Sequence, residues 1–464
     1  MTEKIRYALN SYRWARWTAL ILVAITMMCG YFMTDVMAPL ESLLQKSEAS
    51  GGLNWTATEY GLFSGAYSFF NVFFLMLILG GLLLDRFGVR LTGLMACTLM
   101  IIGASIKAFA ISSSFPEMGD IYGINSTAVF AGLGFAVFGM GAEIAGITVT
   151  KVIVKWFTGY ELALALGFQV ALARVGTACA LGFSLRIKET FDFLAAPVIL
   201  GAIMLCIGLI FYIVYCAMDT ELNKSLKATD KKYNEENEER FKLSDIKVVI
   251  TNKGFWIIAI LCVLFYSGVF PFLKFATSLM IHKYNVPDEY AGLIPASLPF
   301  GTILLTPLFG YVYDKIGKGA TLMVIGSVML VVVHALFALP MITNAWFAFS
   351  VMILLGIAFS LVPSAMWPAV PKIISQKELG TAYSLIFYVQ NIGLMTVPML
   401  IGWVIENYTK IKLPSGEISY NYTLPMCIFM LFGILACIFS VWLLVVNKKK
   451  NYGLQNPNII KSSE

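Results

Sequence analysis

The sequence predicts an all-α polytopic membrane protein, with twelve transmembrane helices in two pseudo-symmetric six-helix bundles. Three observations carry that prediction. Of 464 residues, 59% are hydrophobic and 13% charged, whereas soluble domains carry roughly 25% charge. Apolar runs of spanning length recur along the whole chain, and one charge-rich segment interrupts them near the middle. The mean hydropathy is +0.79. A soluble core cannot hide that much apolar surface, so much of it must face lipid.

Lys4, Arg6, Arg13 and Arg16 precede the first span, at 17–39. It is long enough to cross and ends without a small-residue cleavage signature, so it reads as a retained helix. The next spans are 59–84, 91–111, 126–150, 162–184 and 194–217. After the interruption come 254–281, 290–313, 319–340, 344–371, 379–405 and 422–446. Each reaches the ~20 residues needed to cross a ~30 Å hydrocarbon core at 1.5 Å per residue. The expected organisation is an N-terminal bundle at 1–218, a charged linker at 219–253, a C-terminal bundle at 254–450 and a tail at 451–464. A short amphipathic helix on the membrane surface is expected around Phe241 to Ile250.

The basic residues give an orientation. If the N-terminus is cytoplasmic, the outer loops hold only Lys46, Arg186, Lys188, Lys283, Lys410 and Lys412 of the 33 Lys and Arg residues, and Lys107, Arg174 and Lys274 fall inside spans. The rest lie on the inner side, as the positive-inside rule requires, with both termini cytoplasmic. The net charge of +6 sits mainly there and calls for no nucleic-acid partner. The eight cysteines lie in apolar runs without a metal-ligand spacing, and the two histidines, His282 and His334, are far apart in the chain. No metal or cofactor is expected.

A repeat at two span ends points to function. After the second span stands Gly81-Leu-Leu-Leu-Asp85-Arg86-Phe-Gly88-Val-Arg90, and after the eighth Gly310-Tyr-Val-Tyr-Asp314-Lys315-Ile-Gly317-Lys318. Glycines in such tight turns permit close helix approach and positive φ, and the aspartates can pair with nearby cations or cap a helix N-terminus. Gly81, Asp85, Arg86, Gly88, Arg90, Asp314, Lys315 and Gly317 are therefore the expected gating residues. This repeat resembles the signature loop of the major facilitator superfamily, and the six-linker-six plan matches that family along the whole chain. The resemblance implies two bundles around a central cavity that rock between alternate accesses.

Ionisable groups deep in a span are costly and are functional candidates. Glu143 lies in the fourth span and Arg174 near the middle of the fifth, at depths of about 10 and about 18 Å counted from the inner edge at 1.5 Å per residue. They could clamp a substrate, Arg174 taking a carboxylate bidentately and Glu143 or Asp35 an ammonium. They could equally pair with each other. Lys107, at the end of its span, is expected to snorkel to the interface, and Lys274 is a further candidate. Aligning Glu161 with Glu378 places Arg174 opposite Asn391, Gly176 opposite Gly393 and Glu143 opposite Ser360. Charge thus concentrates in the first half. The second offers Asn391, Gln390, Tyr388, Trp367, Tyr266 and Phe270 as binding candidates.

Further stretches narrow the resemblance. Lys155-Trp-Phe-Thr-Gly-Tyr-Glu161, Leu172-Ala-Arg174-Val-Gly176, Val269-Phe-Pro271-Phe272, Ala365-Met-Trp367-Pro368 and Gln390-Asn391-Ile-Gly393 are similar to a dipeptide-carrying, lysosomal branch of the superfamily and its bacterial relatives. That implies dipeptide transport, by uniport or proton coupling, with Glu143 and Arg174 engaging the backbone termini. The chain departs from proton-coupled oligopeptide carriers by lacking ExxER in its first helix. Its N-terminus shows no acidic dileucine signal, and Asn54, Asn125, Asn407 and Asn421 are Asn-x-Ser/Thr sites on the expected outer side. A bacterial cytoplasmic membrane is the expected location. The alternatives are a carrier of another organic anion or sugar-like metabolite, or a non-transporting sensor or scaffold. HExxH, GxSxG and phosphate-loop motifs are missing, so no enzyme is expected.

Overall fold

The computed structural model describes residues 8–116, 118–158, 160–229, 243–375, 378–412 and 418–457. Almost all of this is helix, as a bilayer demands, because only internal hydrogen bonds can satisfy the backbone in hydrocarbon. The first half comprises α1 (Arg13–Asp35), α2 (Glu41–Leu44), α3 (Ala57–Ala66), α4 (Phe69–Phe73), α5 (Met76–Ala110), α6 (Ser126–Phe157), α7 (Leu162–Phe191) and α8 (Ala196–Thr229). The second comprises α9 (Leu243–Thr251), α10 (Lys253–Ser267), α11 (Phe270–Tyr284), α12 (Asp288–Ala291), α13 (Leu293–Ile316), α14 (Gly319–Ala338), α15 (Ala345–Ile373), α16 (Leu379–Tyr408) and α17 (Thr423–Lys450). A small antiparallel hairpin, β1 (Lys410–Lys412) with β2 (Ile418–Tyr420), precedes α17.

Among the described residues, eleven helical stretches are long and apolar enough to cross a membrane. The twelfth crossing emerges because α5 turns at Gly88, where φ is 71° and ψ 175°. The second crossing runs through α3, α4 and the start of α5, and the third through the rest of α5. Outward side chains such as Leu304, Trp346 and Ile210 are largely exposed and form the lipid-facing surface.

Three expectations needed correction. The second span, expected to be continuous, breaks at Tyr67–Ser68 and again at Leu75, whose φ is +52°. Phe69, Phe70, Asn71, Phe73 and Phe74 are poor helix formers because ring rotamers and a short amide compete with the helix. The seventh span breaks between Ser267 and Phe270, where Pro271 opens α11; proline suits a helix's first turn and not its interior. The buried His334 of α14 bonds the Gly268 carbonyl left at that break, at 2.8 Å. Finally, α8 continues past Met218 to Thr229, because Glu221, Leu222, Lys224 and Leu226 are good helix formers and Lys224 pairs with Glu221 at 2.7 Å. Of the expected linker, 230–242 lies outside the described residues, as does Phe241; α9 covers the remainder of the expected surface helix.

The two membrane faces differ. We call the face carrying Asp85 and Asp314 the basic face. At the opposite face the halves are pressed together. There α3 meets α16 so closely that a Cβ at Gly61 would lie 2.5 Å from the Pro398 carbonyl oxygen, and one at Gly402 would lie 2.8 Å from Gly61 Cα. Small residues are what allow such an approach in membranes. At the basic face, Gly81, Gly310, Gly167 and Gly380 have no neighbour within 4 Å of the place a Cβ would take.

Candidate functional site

The core between the halves holds the predicted charges. Glu143, on α6, accepts a hydrogen bond from the Tyr67 hydroxyl at 3.0 Å. The break in the second span presents Tyr67 here. Asn391 of α16 also reaches Glu143 from the other half; its Nδ2 donates to the Phe387 carbonyl at 3.0 Å and its Oδ1 has no partner among the described residues. The Arg174 guanidinium, on α7, sits among aromatic faces instead. Its Cζ lies 5.6 Å from the Tyr31 ring, 5.4 Å from Phe270 and 5.2 Å from Phe359. No ion pair joins Glu143 to Arg174 among the described residues. Tyr31, on α1, is also within electrostatic reach of Glu143 and Asp35.

Beyond Arg174 lies an aromatic wall from the second half. Tyr266 packs on Phe270 and Phe359, with centroids 5.4 and 5.7 Å apart, and accepts a hydrogen bond from Trp367 Nε1 at 3.1 Å. Trp367 in turn stacks on Phe387 at 4.9 Å. Gln390 is buried against Cys262, whose thiol donates to Oε1 at 3.7 Å. Tyr388 is half-buried, and neither a ring contact nor a hydrogen bond ties it to this cluster among the described residues. Tyr31, Tyr67 and Phe359 escaped the sequence reading. The chain has 34 phenylalanines and 21 tyrosines, and nothing in spacing separates these three from the others.

Asp35 is committed elsewhere. It pairs across the halves with Lys274 at 2.7 Å, and the same ammonium donates to the Thr34 carbonyl at 2.8 Å. Around it, Tyr60 donates to the Lys274 carbonyl at 3.0 Å, Glu406 accepts from the Ala57 N–H at 3.0 Å, and Lys46–Asp288 and Arg186–Glu289 pair at 3.5 and 3.8 Å. All of these join one half to the other at the opposite face. Lys107, expected to snorkel, is instead fully buried. It donates to the Met33 carbonyl at 2.9 Å and lies 4.5 Å from the Phe135 centroid. A helix end leaves carbonyls without a helical partner, and the Met33 carbonyl near the end of α1 draws the ammonium inward.

The repeated loops lie at the basic face, and the ion pairs found for the first copy join residues of the first half. Asp85 pairs with Lys151 at 3.1 Å; Asp219, fully buried, pairs with Lys155 at 2.7 Å and with Arg90 at 3.5 Å. Arg86 lies over Phe87 at 5.4 Å. Gly88 and Gly317 both take positive φ, 71° and 77°, which explains the glycine at each copy. Lys315 reaches Tyr311 Oη at 3.4 Å. The second copy is held by the chain's own C-terminal segment, since Lys318 and Gly319 donate their N–H groups to the Gln455 and Leu454 carbonyls at 2.9 and 3.0 Å. Asp219, expected in a solvated linker, was missed because its span appeared to end just before it.

The sequence matches the profile of the Major Facilitator Superfamily over residues 20–398 and 275–456. The chain belongs to the Major Facilitator Superfamily. Like the rest of that superfamily it is a multi-pass membrane transporter. Its curated relatives include the lysosomal dipeptide transporter MFSD1 of Mus musculus, 28% identical over 397 residues, which are 83% of this chain and 80% of the relative. Among solved structures it resembles the nucleoside transporter NupG, with a TM-score of 0.68 at 14% identity over 93% of this chain and 99% of that one. It also resembles the xylose transporter XylE from E. coli, with a TM-score of 0.66 at 14% identity over 92% and 95%. These two likenesses show the superfamily fold.

Proposed function

We propose that this transporter carries a small zwitterion, a dipeptide in the first instance, by alternating access without nucleotide hydrolysis. One observation carries the reading. A guanidinium in the middle of the membrane is surrounded by aromatic faces and has no carboxylate partner among the described residues, while a carboxyl group held by Tyr67 stands apart from it. An unpaired charge inside a span is costly, and Arg174 is half-buried, so it is suited to a ligand carboxylate in bidentate geometry. Glu143, with Asn391 beside it, is suited to the ligand's ammonium. Tyr266, Phe270, Phe359 and Trp367 offer a wall that tolerates varied side chains. The likeness to MFSD1, a dipeptide transporter by name, supports the same substrate class.

In this reading the basic face is cytoplasmic, because that is where the positive-inside rule puts it, and the structure is the state open towards the cytoplasm. Asp85, Asp314 and their glycines would close that face in the other state. A thermal-shift panel of dipeptides, amino acids, sugars and nucleosides on the purified protein tests the proposal. Stabilisation by dipeptides is expected. Stabilisation by sugars or nucleosides alone would favour the chemistry of the structural neighbours instead, and no response to any solute would favour a sensor or scaffold.

A further inference from the structure

Two ammonium groups, one from each half, converge on the end of α1. Lys274 of α11 bonds the Thr34 carbonyl and the Asp35 carboxylate, at 2.8 and 2.7 Å. Lys107 of α5 bonds the preceding carbonyl, Met33, at 2.9 Å. Both lie over one ring, 4.5 and 5.8 Å from the Phe135 centroid. Lys107 is wholly buried, and the side chains of Asp35 and Lys274 are 13% and 14% exposed. Asp35 is thus paired with Lys274, while a second lysine is bonded to a carbonyl two residues earlier on the same helix end, in a buried site where charges interact strongly.

The arrangement has a consequence if the halves separate at this face, a step that rests on the alternating-access reading above. Asp35 and Lys107 belong to the first half and stay together, whereas Lys274 departs with the second. Asp35 would then be left as a buried unpaired charge, which is strongly unfavourable. Lys107 already bonds the carbonyl two residues before Asp35 on the same helix, and its flexible four-carbon stem allows its ammonium to turn to that carboxylate. We propose that Asp35 is handed from Lys274 to Lys107 as the opposite face opens, so that Lys107 is the counter-ion of the state open to that side. Lys107 is a positioning residue for the transport cycle and does not touch the substrate.

Spin labels at Tyr122→Cys and Met341→Cys, exposed loop positions of the two halves at this face, would report its opening in a background whose other cysteines are replaced. The readout needs no substrate. In Lys274→Met the inter-half pair is lost while Lys107 still compensates Asp35, so a long-distance population should grow at least several-fold. Adding Lys107→Met should shrink that population or lower the folded yield, and adding Asp35→Asn to both should restore it. If Lys274→Met opens the face equally with and without Lys107, the hand-over is wrong although alternating access stands. If no variant, including the triple one, ever shows a second distance, alternating access itself fails and the hand-over with it.

Discussion

At one face of the molecule glycines of the two halves are in backbone contact, while at the other the glycines of the repeated loops meet no neighbour. At the opposite face, Gly61 and Gly402 bring α3 and α16 into backbone contact, and every ion pair named there crosses between the halves. At the basic face, Gly81 and Gly310 look onto open space, and the pairs of Asp85, Asp219 and Glu161 remain inside the first half. Under the alternating-access proposal, the difference teaches what a gate would be made of here. Glycines set how closely the halves can approach, and charges decide whether a face holds once they have approached. Since α3 and the start of α5 belong to the same crossing, Gly61 and Gly81 are a matched pair for testing this.

The largest effect is expected at the contact face. Gly402→Leu puts atoms where Ala57 and Gly61 already sit, and overpacking costs about 1–3 kcal/mol. The contact face should lose occupancy by roughly five- to 150-fold, read as a larger long-distance population between labels at positions 122 and 341. Gly81→Leu sharpens the contrast. It meets no neighbour within 4 Å in this state, so stability should stay within about 0.5 kcal/mol. Transport should nevertheless slow, because the added side chain obstructs closure of the basic face. If Gly81→Leu transports at the wild-type rate, that face does not close around Gly81.

A smaller effect is expected for Asp85→Asn. Its pair with Lys151 is partly exposed, 23% and 26%, and such pairs contribute about 0.2–1 kcal/mol. Binding should survive and turnover should fall, so comparing affinity with flux in proteoliposomes separates gate from pocket. Equal loss of both would place Asp85 in the binding machinery.

The smallest expected effect concerns Glu161. Its own backbone N–H first, and then Arg16 at 3.1 Å, hold the carboxyl below its ordinary 4.5. The resulting stabilisation is complete above pH 4.5 and is lost as pH falls through the depressed value. A melting curve of Glu161→Gln should therefore decline less on acidification below pH 4.5 than that of the wild type. An identical decline would show that Glu161 does not contribute.

Much of this architecture was legible in the residues. Hydrophobic runs located every crossing, because lipid forces apolar side chains onto all outward positions. Glu143 and Arg174 stood out because ionisable groups inside spans are rare and costly. What escaped has physical causes. The bend at Leu75 arises from a run of phenylalanines that is as apolar as any helix, so hydropathy passes over it. Tyr31, Tyr67 and Phe359 meet Arg174 and Glu143 only through helix packing. Lys107 was placed at the interface because depth along a helix says nothing about which neighbour its side chain faces. Asp219 looked solvated because the charges after it mask a helix that continues. Which face brings the halves together could not be read at all, since a transporter that alternates, as proposed, must use one sequence for both states.

The most direct test of the substrate proposal compares one dipeptide with its C-terminally amidated form, in the wild type and in Arg174→Ala and Arg174→Lys. A bidentate carboxylate contact predicts that amidation weakens wild-type binding by about 1.5–3 kcal/mol, roughly ten- to a hundred-fold. Arg174→Ala should lose about as much for the free dipeptide and little more for the amide. Arg174→Lys should not restore it, because an ammonium lacks the planar fork. Equal binding of free and amidated dipeptides to the wild type would contradict the carboxylate role of Arg174.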